Sequence, residues 1–269
     1  MNATVPARAA KTGSPWRAVA LPDEHGGWSL TAEPALLGLL IAPSWAGVAL
    51  AVAAMVAFLT RTPLKLVLVD AWRHRCLPRT RLAAWIAAGE FALLVALALT
   101  AGTRAGWSWL AVVAVAAPLV GIELWFDMRS RSRRLVPELC GALGIAGVVA
   151  AVVIAGGEST ALAIGAWLLL SARSVVTIPF VRTQIQRFRH GDVSTTAAYR
   201  AQLLGALVAV SAVIADRRLL AGALGVLAMI LVNVWWTRRA PLPVKVLGVT
   251  ELGLGLGLVA LTAAGVQLG

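Results

Sequence analysis

This chain has little charge. Only 13% of its 269 residues are charged, 59% are hydrophobic, and the mean hydropathy is +0.83. A soluble domain of this length is not built that way, and several apolar runs reach membrane-spanning length. Acids are scarcer than bases, 12 against 24, which leaves a net charge of +12. In a soluble protein that excess would suggest nucleic acid. Beside apolar spans it marks loops lying against anionic headgroups, so membrane lipids are the expected partner and nucleic acid is not. The 2 cysteines, Cys76 and Cys140, form no CxxC and no metal-ligand spacing, and read as free thiols. Residues 1–20 lack the apolar core of a cleaved signal peptide. Residues 1–22 are expected to be a disordered cytoplasmic tail, ahead of a single transmembrane domain over 23–269.

What is present is a series of nine apolar segments, roughly 27–43, 45–60, 82–100, 106–126, 136–155, 158–181, 198–215, 217–236 and 242–268. The expectation is an all-α polytopic bundle of about nine transmembrane helices. Pro43-Ser44 marks a tight turn between the first two, because one helix covering both would far exceed the ~30 Å apolar layer. With the N-terminus in the cytoplasm, every Lys and Arg except Arg104, Arg217 and Arg218 falls on the cytoplasmic side. That is the asymmetry expected of nine spans with the C-terminus outside. Trp28, Trp45, Trp85, Trp107, Trp109, Trp125, Trp235 and Trp236 lie near span ends, as interfacial anchors do, whereas Trp167 is mid-span and should pack inside. Gly253 and Gly257 have the spacing of a helix-packing pair.

The few acids are informative by position. Glu33, Glu90, Glu123, Asp127, Glu138 and Glu251 all map to the cytoplasmic halves or ends of their spans. Each either pairs with an arginine or contributes to a polar cytoplasmic cavity. Arg173 to Gly191 carries Arg173, Arg182, Arg187, Arg189 and His190 and no acid, leaving the sixth span as a costly run of charge. Arg61 to Arg81 leaves the second span in the same way. The two are expected to be loops that form one pocket. Arg61 and Lys65, four apart, share a helix face if the second span continues, and Pro63 should kink it. His25, in Asp23-Glu24-His25-Gly26-Gly27-Trp28, is either a tuned proton acceptor or part of a turn. Arg131, in the serine-arginine loop Glu123–Glu138, is either an anion contact or one of the ordinary charges of a cytoplasmic loop.

DEHGGW (23–28), RTPLKL (61–66) and ARSVVTIPFVRTQIQRF (172–188) together resemble the YwiC-like family of bacterial membrane proteins. The resemblance implies a multi-pass protein of the bacterial cytoplasmic membrane and supplies no reaction. More distantly, the chain resembles the UbiA-type intramembrane prenyltransferases. These have nine helices, a cytoplasmic cavity, and aspartate-rich motifs after helices two and six that hold magnesium against a prenyl diphosphate. Here those places carry Asp70 alone and Asp192 alone, with arginines around them. No cofactor is implied, and Mg2+ enters only if the chain is a divergent prenyltransferase.

Three functions are therefore weighed. In the first, a cytoplasm-facing polar cavity binds an anionic or amphiphilic small molecule. His25, Arg61, Lys65, Arg131, Arg173 and Arg182 contact it, and Glu90, Glu123 and Asp127 orient those cations or handle protons. In the second, the same three carboxylates replace the missing aspartates of a prenyltransferase. The third is a small-solute transporter, for which broken helices in two related halves would be the sign.

Overall fold

A computed structural model describes residues 15–22, 25–129, 134–191 and 193–269. The described residues form helices and short turns, with no strand among them. In chain order the helices are α1 (Pro15–Ala20), α2 (His25–Ile41), α3 (Trp45–Trp72), α4 (Pro78–Ala105), α5 (Leu110–Met128), α6 (Leu135–Ala146), α7 (Val148–Ala155), α8 (Thr160–His190), α9 (Thr196–Ala215), α10 (Leu220–Thr237) and α11 (Val244–Leu268). All nine apolar segments are therefore helical, and eight spans are long and apolar enough to cross a membrane, with α6 and α7 counted as one. At 17 residues, α2 spans only about 25 Å. One side of it packs against α3, α6, α7 and α11, while Trp28, Leu36 and Leu40 stay exposed on the other.

Local signals set the boundaries. Ser44 caps α3 by accepting from Gly47 N at 2.9 Å, so Pro43-Ser44 is indeed the turn. Ser159 caps α8 in the same way, accepting from Leu162 N at 3.2 Å. Gly106 (φ 73°) and Gly191 (φ 79°) end α4 and α8 in the left-handed region that favours glycine. The fifth span is broken at Gly147 for an identifiable reason. The Trp167 indole N–H donates to Leu143 O at 2.8 Å, the carbonyl that Gly147 N would otherwise use. Gly147 N turns instead to Gly144 O at 3.1 Å. Trp167 thus packs inside, as its position implied.

The core centres on α8. In its most apolar window 72% of residues are buried, against 6% in α4 and 11% in α5. Leu162, Leu169 and Phe180 of α8 are fully buried, and Leu37, Val149, Leu219 and Met229 from other elements join its core. α4 packs on α3 and α1 and barely meets α5, although the two are consecutive. They are joined at one end by the turn carrying Trp107 and the buried Trp109.

Four expectations need correction. Residues 15–20, placed in a disordered tail, are helical and pack on α3 and α4, with Val19 and Ala20 buried. Both basic stretches are mostly helix, and only the turn 73–77 of Arg61–Arg81 is not. α3 continues through Pro63 to Trp72, carried by Leu64 and the apolar run Leu66–Val69, and α8 continues to His190. Basic residues in the last turn of α8 favour that continuation, since they face the negative end of the helix dipole. Trp109 is buried rather than interfacial. Gly253 and Gly257 meet nothing within 4 Å, and the packed glycine is Gly255 between them.

The chain repeats a plan. α2–α5 and α6–α10 each consist of an opening span, a long Ser-capped helix with proline in its second half (Pro63 or Pro179), a partner packed closely on it, and a closing helix. α11 follows outside the repeat. The loops fall at two ends. One carries Arg104, Glu158, Asp216, Arg217 and Arg218, and nearly all the remaining basic residues lie toward the other, called the basic face below.

Candidate functional site

On α3, Arg61 and Lys65 project one turn apart, and on α5, Glu123 and Asp127 do the same. The two pairs interlock. Arg61 reaches Glu123 Oε1 at 2.7 Å and Asp127 Oδ2 at 3.3 Å, and Lys65 Nζ reaches Asp127 Oδ1 at 3.1 Å. The carboxylates form the floor, with Asp127 only 1% exposed, while the Arg61 and Lys65 side chains keep 26% and 32% of their surface accessible. Gly141 on α6 makes room for this floor, because a Cβ there would strike the Glu123 carboxylate. Nearer the basic face, the Arg129 guanidinium stacks on Trp125 at 4.2 Å and on Trp72 at 5.6 Å. That stack ties the ends of α3 and α5 together above the four charges.

The other expected residues lie in different company. Glu90, on α4, meets Thr60, the neighbour of Arg61, and its Oε2 is buried with no hydrogen-bond partner among the described residues. Arg182 donates to Glu138 of α6 at 2.6 Å, an open pair with side chains 31% and 42% exposed. Such a pair contributes about 0–1 kcal/mol. Arg173 is deep in the bundle, 3% exposed, against Glu33 Oε1 of α2 at 2.7 Å. The four cations expected in one pocket thus have three different sets of partners. The side chain of His25 and all of Arg131 lie outside the described residues.

Asp70 is on the last turn of α3 rather than in a loop. It accepts from Thr80 Oγ1 at 2.6 Å and faces Arg75 and Arg79, which closes the short α3–α4 turn. Asp192 lies outside the described residues. Among the described residues, no group of three or more His, Cys, Asp or Glu is placed to hold a metal.

The profile of the YwiC-like protein family matches residues 21–154. Over these residues the chain belongs to the YwiC-like family. The matched region contains two of the three motifs, DEHGGW and RTPLKL, and with them α2–α6, α7 up to its last residue, and the whole Arg61–Lys65–Glu123–Asp127 group. The third motif, on α8, lies beyond it. No curated protein and no solved structure gives a significant match. Within the YwiC-like region the motif residues have visible work. Gly27 lies under the Phe58 ring, where a Cβ would not fit, and Trp28 packs edge-on against that ring at 5.1 Å. Gly27 and Trp28, the last two residues of DEHGGW, therefore join α2 to α3 just before the turn that carries Arg61.

Two residues escaped the sequence reading as site members, Glu33 and Glu251. Both are carboxylates inside apolar runs, which is itself a signal. Nothing local shows that they share Arg173, since Glu33 and Arg173 are 140 positions apart.

Proposed function

We propose that this YwiC-like chain is a multi-pass protein of the bacterial cytoplasmic membrane that binds an anionic amphiphile through Arg61 and Lys65. The basic face is cytoplasmic on this reading, so the N-terminus is inside and the C-terminus outside. The observation that carries the proposal is the seat itself. Two partly exposed cations stand on the carboxylates of a buried Asp127 and a largely buried Glu123, near α4 and α5, which make few contacts with each other among the described residues. Glu123 and Asp127 hold the cations in place, and arginine offers a planar fork suited to phosphate or carboxylate. Both helices are rich in exposed apolar residues, such as Phe91 and Leu99 of α4 and Val115 and Ile122 of α5. A ligand with a charged head and an apolar tail suits both features. In this account Glu90 borders the head site, while Arg173 and Arg182 serve the bundle elsewhere. The doubled four-helix plan plus α11 suits a UbiA-like scaffold, with its sites after α3 and α8.

The test is thermal stability of purified protein against a panel of phosphatidylglycerol, a prenyl diphosphate and zwitterionic phosphatidylcholine. The anionic probes should stabilise the wild type, and Arg61→Gln with Lys65→Gln should abolish that gain. Equal stabilisation of variant and wild type would sink the assignment. Magnesium-dependent turnover of the prenyl diphosphate would replace it with the prenyltransferase reading.

A further inference from the structure

A second charged group lies away from the Arg61 seat, where α2, α8 and α11 meet. Arg173 NH2 contacts Glu33 Oε1 at 2.7 Å and the backbone oxygen of Glu251 at 3.5 Å. Thr177 Oγ1 donates to Glu251 Oε2 at 3.0 Å. Glu33 is 1% exposed, Arg173 3% and Glu251 7%. Gly255, one turn beyond Glu251, makes the approach possible, since a Cβ there would overlap both the Glu33 carboxylate and the Arg173 guanidinium.

The charges do not balance. Two carboxylates share one guanidinium, and among the described residues no other cation makes an ion pair or hydrogen bond with either. α6 presents Ala142 and Ala146 to the Glu33–Arg173 side, and α8 adds Leu170 and Ser174, all uncharged. The Ser174 hydroxyl is committed to Leu170 O at 3.1 Å. An uncompensated negative charge at this depth is costly. Independently of that count, Glu251 Oε1 and Arg173 Nε are buried with no hydrogen-bond partner among the described residues. One unused acceptor and one unused donor therefore sit in the same group.

We propose that Glu33 and Glu251, on either side of Arg173, form an intramembrane proton-binding site that holds one proton between them. Size and charge select the proton. The void beside Glu33 and Arg173 offers about 10 Å³, space for one water and not for an organic ligand. A metal cation would have to enter beside a guanidinium that repels it. A proton instead bonds covalently to a carboxylate oxygen and cancels the surplus charge. In the binding step, an O–H bond forms at one of the two carboxylates, and the hydronium ion that gives up the proton becomes water. Release is the reverse. The proposal is independent of the anion seat, because it involves none of those residues.

The experiment is infrared difference spectroscopy of the full chain in lipid nanodiscs, titrated with pH in H2O and D2O. The expected result is one protonated-carboxyl C=O band that shifts in D2O. The band persists above the pH at which exposed carboxylates have lost their protons, and disappears in the Glu33→Gln/Glu251→Gln double variant. Glu251→Gln alone keeps the Arg173–Glu33 pair, and folding is expected to survive it with the band gone. Wild-type spectra alone also decide the matter, since absence of such a band overturns the proposal. A band that persists in a folded double variant overturns it too. So does stabilisation at alkaline pH by sodium chloride that choline chloride does not reproduce, which would make the occupant a metal cation.

Discussion

Replacing glycine by alanine along one turn of α11 should give results of opposite sign two residues apart. Gly253, Gly255 and Gly257 alternate with leucine in an unbroken helix, so their local sequence is nearly identical. A methyl at Gly253 or Gly257 meets nothing within 4 Å. There the only effect is the better helix propensity of alanine, a gain of up to about 1 kcal/mol. A methyl at Gly255 meets Glu33 Oε1 and Arg173 NH2, the two atoms of the 2.7 Å ion pair. Both side chains are buried and cannot swing into water, so the pair must lengthen or α11 must back away. Overpacking costs about 1–3 kcal/mol, and full rupture of a buried pair costs about 3–5 kcal/mol. Partial rupture puts Gly255→Ala about 2–4 kcal/mol below the wild type. The assay is reversible SDS unfolding from mixed micelles followed by tryptophan fluorescence. If all three variants fall within about 0.5 kcal/mol of one another, the packing of α11 on the ion pair is wrong.

Two further predictions concern the ends of the bundle. Cys76 is exposed in the turn between α3 and α4, at the basic face. A membrane-impermeant maleimide should label it in inside-out vesicles and not in intact cells, and Cys76→Ser should remove most of the signal; the opposite sidedness would invert the topology. At the other face, Arg218 hydrogen-bonds Asp216 at 2.9 Å and holds its carboxyl below the usual aspartate range. A lowered value in the folded state means the contribution is present above about pH 4, the ordinary aspartate value, and fades as pH falls through the folded one. Asp216→Asn should therefore be less stable than wild type at pH 7, with the gap narrowing in acid. A gap that does not change between pH 7 and pH 3 would contradict the pairing.

The helices were legible in the sequence because each apolar run is long and ends in a turn signal. The extensions of α3 and α8 were not, because charge density was read as loop. In α3, Leu64 and the run Leu66–Val69 outweigh Pro63, and in α8 the basic residues suit the C-terminal end of a helix. The Arg61 seat was half legible. Arg61–Lys65 and Glu123–Asp127 are both i, i+4 pairs, so each predicts a face, but only packing shows that the two faces meet. The roles of Arg173 and Arg182 could not be read from their spacing. They are nine residues apart on one helix, and one is buried against Glu33 while the other is open beside Glu138. Glycine spacing misled for the same reason. The pattern 253–257 and the single contact at 255 differ only in which face of α11 turns inward.

The central claim is that Arg61 and Lys65 receive an anionic headgroup, and an experimental structure of the protein extracted in its native lipid tests it most directly. The account predicts non-protein density with its head within hydrogen-bond distance of Arg61 and Lys65, and a tail running along the exposed apolar residues of α4 and α5. A seat without head density, with lipid ordered only on the outer faces of the bundle, would contradict it.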